Sequence, residues 1–281
     1  MNKRHLAYRL LALLLGILLF YAPFALLIKA AAQLLESQGL IHVAGDVHRA
    51  CLRMPINWAF LDPGKLIARV LMNPLYLSVF VLAVLSFFLA PLFCGWLCAA
   101  GNIPEHLNRL VPQRLKLDLR GKLDPTPVRY GFLVGFILSP ALGGSIACSF
   151  CNYSQLQRVL SAVFGDFHAL AYWSSTAIIT FFFWFFVLGV FLEGGRGWCN
   201  FACPAGALQN LFHWLGAKLP FTFKIRFFKE RCNDCGKCVD ACPTWAISEA
   251  PSSVRVNRLI CNACRDCVAT CPTGALDYSR G

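Results

Sequence analysis

Eight of the chain's 15 cysteines lie in two runs near the C-terminus, CNDCGKCVDACP at 232–243 and CNACRDCVATCP at 261–272. Each run reads C-x2-C-x2-C-x3-C-P. The spacing suits a [4Fe–4S] cubane: three close thiolates wrap one cluster, and the fourth, followed by proline, turns away to ligate the other. Cys232, Cys235, Cys238 and Cys271 are expected to hold one cluster, and Cys242, Cys261, Cys264 and Cys267 the second. Zinc would take its four ligands from one motif, with no use for the crossed cysteine or the proline. Disulfides are disfavoured in a reducing cytoplasm. The chemistry is narrow, because such clusters carry single electrons and rarely remake bonds.

Four further cysteines form two pairs, Cys94/Cys98 in FCGWLCAAG (93–101) and Cys199/Cys203 in GWCNFACPAG (197–206). Both segments share C-x3-C-x-A-G and follow a long apolar run, at an interval of 105 residues from Cys94 to Cys199. In a helix, residues four apart share a face, so each pair presents two sulfurs in one direction. The repetition predicts two related halves whose four thiols converge. Four sulfurs suit zinc, copper(I) or an iron–sulfur centre. A dithiol redox switch and two inert buried thiol pairs are the competing readings. The halves differ at one place: Cys203 is followed by Pro204 and Cys98 by Ala99.

The remaining cysteines are Cys51, in DVHRACLRMP with His48 and His42 nearby, and Cys148 and Cys151 in ACSFCNY. They fit a metal or cluster site, a disulfide, or ordinary packing. No histidine follows C-x2-C, which excludes c-type haem attachment on pattern.

The elements that must position these groups are apolar. The chain has 281 residues, 57% hydrophobic and 14% charged, against about a quarter charged in ordinary soluble domains. Four runs, 10–28, 74–93, 128–147 and 170–192, approach the roughly 20 residues needed to cross a bilayer. The expected fold class is an α-helical integral membrane protein with four transmembrane helices over 1–219. A C-terminal two-[4Fe–4S] bacterial ferredoxin-like domain (α+β) is expected over 220–281. Segment 99–130 carries six Lys and Arg and segment 148–169 only Arg158. The positive-inside rule then puts both termini in the cytoplasm of a bacterial inner membrane, with a multi-pass chain between. Both thiol pairs fall on the same side as the C-terminal domain, and Cys51, Cys148 and Cys151 on the other. The formal charge of +12 reports orientation, and no nucleic-acid motif accompanies it. None of the six histidines lies within a predicted span, so transmembrane b-haem is not expected. SSTA (174–177) lacks the glycine of a covalent-flavin attachment motif.

Four apolar runs, C-x3-C after the second and fourth, and a C-terminal double-cluster motif resemble the NapH/MauN-type membrane ferredoxin proteins. These are related to the membrane half of NosR-like regulators and to CcoG-type proteins. GWCNFACPAGALQ is the more specific part of the likeness. The resemblance implies a quinol-linked oxidoreductase subunit that moves electrons between the quinone pool and partner redox proteins, iron–sulfur or cytochrome subunits. Trp96, Trp198 and Arg196 are the candidates for contact with quinone, although an aromatic girdle explains them equally. Two other functions fit the residues: a copper-handling or metal-reducing assembly factor using the C-x3-C thiols, and a membrane anchor for a partner oxidoreductase.

Overall fold

The computed structural model describes residues 3–37, 53–72, 78–141, 150–170, 174–250 and 253–281. The first part of the chain is helical. Its helices are α1 (Lys3–Phe20), α2 (Leu26–Ser37), α3 (Arg53–Leu61), α4 (Pro63–Met72), α5 (Ser78–Leu89), α6 (Ala99–Asn108), α7 (Pro125–Leu138), α8 (Asn152–Val163), α9 (Ser175–Phe182), α10 (Gly197–Phe201) and α11 (Pro204–Gly216). Two π-helical stretches interrupt it, Phe93–Leu97 after α5 and Phe183–Val190 after α9.

These breaks overturn the four-span expectation. Among the described residues no helix is long and apolar enough to cross a membrane. The first run folds into an 18-residue α1, but Lys3, Arg4 and Arg9 lie within it. The second yields a 12-residue α5 that stops before the π turn. The third gives a 14-residue α7, and the fourth an 8-residue α9 that passes into π geometry. Residues 74–77, 142–147 and 171–173 of the predicted runs lie outside the described residues.

Burial on these helices runs opposite to the usual pattern. On α1, Arg9 is buried while Leu11, Leu14 and Leu15 are exposed. On α11, Gln209, Asn210 and His213 face inward, and Trp214 and Leu215 face out. Helix α11 packs on α5 and α7.

From Phe223 the chain forms a small α+β unit. Strand β1 (Phe223–Phe227) pairs antiparallel with β4 (Leu276–Arg280), Phe223 opposite Arg280. Strands β2 (Ile247–Ala250) and β3 (Ser253–Val256) form a second antiparallel pair. Two short helices, α12 (Lys237–Asp240) and α13 (Asp266–Thr270), follow the two cysteine loops and touch each other. Ile225, Ile247, Ile260 and Leu276 form the core together with Cys242, Cys261 and Cys267.

This unit is seated on the helices by backbone contact. A Cβ on Gly95 would lie 2.2 Å from Asn262 O and 3.0 Å from Cys264 N. Trp96 Nε1 donates to Ala263 O at 3.1 Å, and Asn210 Nδ2 donates to Cys261 O at 2.7 Å. Arg120 reaches across to Val239 O at 2.8 Å.

Two predictions follow from this packing. Gly95→Ala should lower stability by about 1–3 kcal/mol, the cost of overpacking against rigid backbone. Gly131→Ala, where a Cβ meets nothing within 4 Å, should not, and thermal unfolding compares the two. The second concerns acid. Burial, then Arg258 and Lys224, lower His213 to about 4. Its folded pKa lies below the ordinary value of about 6.5, so stability is full above that value and is lost as pH falls through about 4. His213→Gln should therefore lose less in melting temperature than the parent between pH 7 and pH 5. His106 is lowered to about 4 as well, chiefly by burial, and leaves part of the acid dependence in place.

Candidate iron–sulfur sites and the charge network between them

The eight C-terminal cysteines gather into two cavities. Cys232, Cys235, Cys238 and Cys271 line one, of about 280 Å³, together with Asp234, Gly236 and Thr273. Cys242, Cys261, Cys264 and Cys267 line the other, a narrower one walled by Ile225, Ile247 and Val256. Each cavity thus takes three sulfurs from one motif and the fourth from the other. Among the described residues no three His, Cys, Asp or Glu side chains are placed to hold a metal ion. A cubane spreads its four thiolates over separate corners, so sulfurs ringing a cavity suit it better than they suit one ion.

The backbone around the cavities repeats as the cysteines do. Asp234 and Ala263 have φ of 52° and 51°, Gly236 and Arg265 70° and 63°, and Trp245 and Gly274 57° and 63°. Left-handed residues alternating with right-handed ones turn successive N–H groups to one side, a concavity that binds anions and iron–sulfur clusters. The crossed cysteines show the same design. Ala246 N donates to Cys242 Sγ at 3.2 Å and Ala275 N to Cys271 Sγ at 3.3 Å. Burial raises Cys271, but hydrogen bonds from Thr273, Ala275 and Leu276 outweigh it and hold the thiol below its ordinary value. At Cys261 burial and then Cys242 outweigh the Ala263 backbone and Arg258 and push the thiol up to about 12. A bound iron centre supplies the counter-charge that such buried thiolates need.

The two C-x3-C pairs also converge. Burial, then Cys98, Cys203 and Cys199, push the Cys94 thiol up, which places all four sulfurs within mutual electrostatic reach. Cys98 caps the N-terminus of α6 with φ −71° and ψ 108°, and Cys203 caps α11 with φ −70° and ψ 109°. Pro204 and Ala99 therefore serve the same first helical position, which accepts proline because its N–H has no helical partner. The first cysteine of each pair sits one short helical turn earlier, Cys94 in the π stretch and Cys199 in α10. The pair is a turn plus a cap rather than one helix face. Two helix N-termini aim at the four thiols, where positive dipole ends favour thiolate. The Tyr21 hydroxyl lies 3.4 Å from Cys98 Sγ and accepts from Ala100 N at 3.0 Å.

Between the four thiols and the second cavity lies a buried charge network. Glu105 on α6 accepts from Arg9 through both carboxylate oxygens, from Arg196 Nε at 2.7 Å, and from Arg109. Burial alone would raise its pKa, but Arg9 and Arg196 outweigh that and hold it well below the carboxylate range. Arg9 and Arg109 also each donate to Asp266 Oδ2 at 2.8 Å, and His5 Nε2 lies 2.8 Å from Asp266 Oδ1. Asp266 stands between Cys264 and Cys267 in sequence. Arg196 donates to Cys94 O at 2.8 Å and to Asn102 Oδ1 at 2.6 Å, and its Nη1 lies 3.9 Å from Cys199 Sγ.

Two segments of the chain, 73–118 and 176–222, match one family model, described as a 4Fe-4S binding domain, and 231–275 matches a 4Fe-4S dicluster domain. The first model thus covers both C-x3-C pairs. Ferredoxin-type protein NapH of Escherichia coli (strain K12) is 32% identical over 162 residues, 57% of this chain and 50% of that protein. The chain is a homologue of the ferredoxin-type electron-transport proteins. Methylamine utilization ferredoxin-type protein MauN of Paracoccus denitrificans (strain Pd 1222) is 30% identical over 54% of this chain and 47% of its own. YccM of the same E. coli strain is 30% identical over 57% of this chain and 43% of its own. The chain spans about half the length of these relatives. No solved structure matches it. The resemblance read from the sequence is borne out, and 4Fe-4S binding domains are present.

Of the other expected site residues, Cys51, Cys148 and His48 lie outside the described residues, while Cys151 caps α8. Trp96 is taken up by Ala263 O and by an edge contact to His5. Trp198 is buried among Trp184, Leu192 and Trp245, and Arg196 belongs to the charge network. The network residues Arg9, Asn102, Glu105, Arg109 and Asp266 are not among the groups read from the sequence. Arg9 carried a signal, since an ionisable residue at the edge of an apolar run marks a partner elsewhere. Its partners, 96 and 257 residues away, carried none.

Glu105→Ala would leave Arg196 buried with no carboxylate and Arg9 with Asp266 alone. Losing one partner of a buried ion pair costs about 3–5 kcal/mol, so chemical denaturation should show a loss of that size. A loss below about 1 kcal/mol, the worth of an exposed pair, would show the network to be dispensable.

Proposed function

We propose that the chain is an electron-transfer protein that ligates iron–sulfur clusters at three places. The first is Cys232, Cys235, Cys238 and Cys271; the second is Cys242, Cys261, Cys264 and Cys267; the third is Cys94, Cys98, Cys199 and Cys203. When bound, such clusters accept and release one electron at a time. The observation that carries the reading is the crossed lining of the two C-terminal cavities, three sulfurs from one motif and one from the other. The third place is supported by the double match to a 4Fe-4S binding domain. It is supported too by the contact of Gly95 and Trp96 with the 262–264 loop, which puts the four-thiol turns against the second cavity.

The protein's own groups do the positioning. The left-handed loop residues point N–H groups at sulfur, and the isoleucines and Val256 keep water from the second cavity. The exposed Cys235 leaves the first cavity open to a partner redox protein. The quinone pool of a bacterial inner membrane is the proposed exchange partner for the third place. A quinol that gives up two electrons and two protons needs carriers that take the electrons singly. The exposed leucines of α1 and the exposed Trp214 and Leu215 of α11 suit contact with lipid.

Iron and acid-labile sulfide per chain test this after anaerobic purification. Two cubanes give about eight irons, and a third centre gives clearly more. A Cys94→Ser, Cys199→Ser variant should fall back to about eight and should be reduced more slowly by a ubiquinol or menaquinol analogue. A colourless, iron-free chain would end the proposal.

A further inference from the structure

Two of the buried cations, Arg9 and Arg196, rest on Glu105, and a third, Lys224, donates to the Ala217 and Leu219 carbonyls. Arg129 of α7 is different. It is 4% exposed, yet among the described residues no carboxylate pairs with it. Its Nη1 makes one long hydrogen bond, 3.4 Å to Leu259 O, and its Nε has no partner. The nearby Asp124 is occupied at the N-terminus of α7, where it accepts from Thr126 N. A buried guanidinium without counter-charge is costly, so its place in the fold is informative.

That place is the four-thiol site. A Cβ on Gly206 would lie 2.6 Å from Arg129 Nη2 and 3.5 Å from Cys203 Sγ. The guanidinium and the sulfur therefore share one small space, which a side chain at 206 would fill. Gly206 belongs to the first turn of α11, and its N–H donates to Cys203 Sγ at 3.3 Å. A cation here stands at the positive end of a helix, a second reason for it to be unfavourable alone. Two positive features with no negative partner mark the place of an anion. The thiols are the groups at hand to build one.

We propose that Arg129 is the charge partner of an anionic iron–sulfur centre held by Cys94, Cys98, Cys199 and Cys203. It is a positioning residue that favours the reduced form of that centre. The proposal rests on the reading of those four cysteines as a cluster site. A cubane with four thiolates is a net anion, and one added electron makes it more negative, so a fixed cation stabilises the reduced form more than the oxidised. The step it biases is the exchange of one electron between that centre and the one at Cys242, Cys261, Cys264 and Cys267, in which one centre is oxidised as the other is reduced and no bond is made or broken. Arg196, whose Nη1 lies 3.9 Å from Cys199 Sγ, differs in having a carboxylate partner in Glu105.

The full chain, Arg129→Gln and Arg129→Lys are purified anaerobically. Iron and acid-labile sulfide are counted, and dithionite titrations are followed by EPR. In Arg129→Gln the third centre should be harder to reduce by about tenfold, or about 59 mV for one electron. Arg129→Lys should recover most of the difference, and the two C-terminal centres should not move. Loss of the third centre's iron from Arg129→Gln alone, with Arg129→Lys still loaded, would also support the role. Should Arg129→Gln not fold, Arg129→Lys against the parent decides: its shorter reach predicts a smaller shift of the same sign, and no shift counts against the role. A third centre present with unmoved potential in Arg129→Gln overturns the role of Arg129 alone. A parent chain with only about eight irons overturns the cluster reading of the four thiols, and this role with it.

Discussion

The arrangement depends on one carboxylate. Glu105 is almost fully buried and meets three guanidinium groups, from α1, from the C-cap of its own helix α6, and from the segment before α10. Taking that many charges out of water is affordable only if nearly every N–H and oxygen finds a partner. Here Asn102 Oδ1, the Cys94 and Gly95 carbonyls and Asp266 supply most of the partners, and Arg9 Nε is left without one among the described residues. The network adds to the backbone contacts of Gly95, Trp96 and Asn210 in holding the helices and the C-terminal unit in register. Arg196 carries it to the four-thiol turns, and Asp266 carries it into the loop between Cys264 and Cys267. Its formal sum is an excess of positive charge, three arginines against two carboxylates, which leans toward sulfur on both sides.

Sulfur receives backbone N–H groups in both parts of the chain, by two different routes. In the C-terminal unit, left-handed residues turn the loops inward, and four of them are not glycine: Asp234, Ala263, Arg265 and Trp245. Such residues cost of order 1–3 kcal/mol each where the surroundings force them. That cost makes sense in a loop shaped around a ligand. At the C-x3-C pairs no such strain is used. The second cysteine becomes a helix cap, and the free N–H groups of the first turn are already aimed at it. Helices supply in one part what strained loops supply in the other.

The sequence spells out the cysteine sets because covalent spacing alone restricts which sulfurs can reach one centre. It spells out the repeat as well, since C-x3-C-x-A-G recurs and its glycines, Gly101 and Gly206, each lie against a guanidinium and a sulfur. The helical spans are another matter. Hydropathy reports how apolar a run is, not where its hydrogen-bond ladder changes register. The π stretches at Phe93–Leu97 and Phe183–Val190 have no mark in residue type. The charge network is legible only after folding, because its members come from five separate segments. Arg9 stands at the edge of an apolar run, and nothing in the residues around Glu105 marks it as buried.

Burial and charge together explain why the polar groups lie where they do. Helix α11 turns Gln209, Asn210 and His213 inward and leaves Trp214 and Leu215 outside, so the interior it faces is polar, while Leu13, Phe181 and Phe185 pack in an apolar cluster elsewhere. A polar interior with fixed hydrogen bonds can hold thiolates and guanidinium groups that an oily one would neutralise. The same interior lies against the second cavity, through Asn210 on Cys261 O and Trp96 on Ala263 O. On the proposed reading, an electron passing between the centres moves through dipoles that are already oriented, and little has to rearrange when its charge arrives. A core of leucine at 209 and 210 would pack as well and would leave Cys261 O without its donor. That carbonyl is what joins the second cavity to α11, and the inverted burial of the helices is the condition for it.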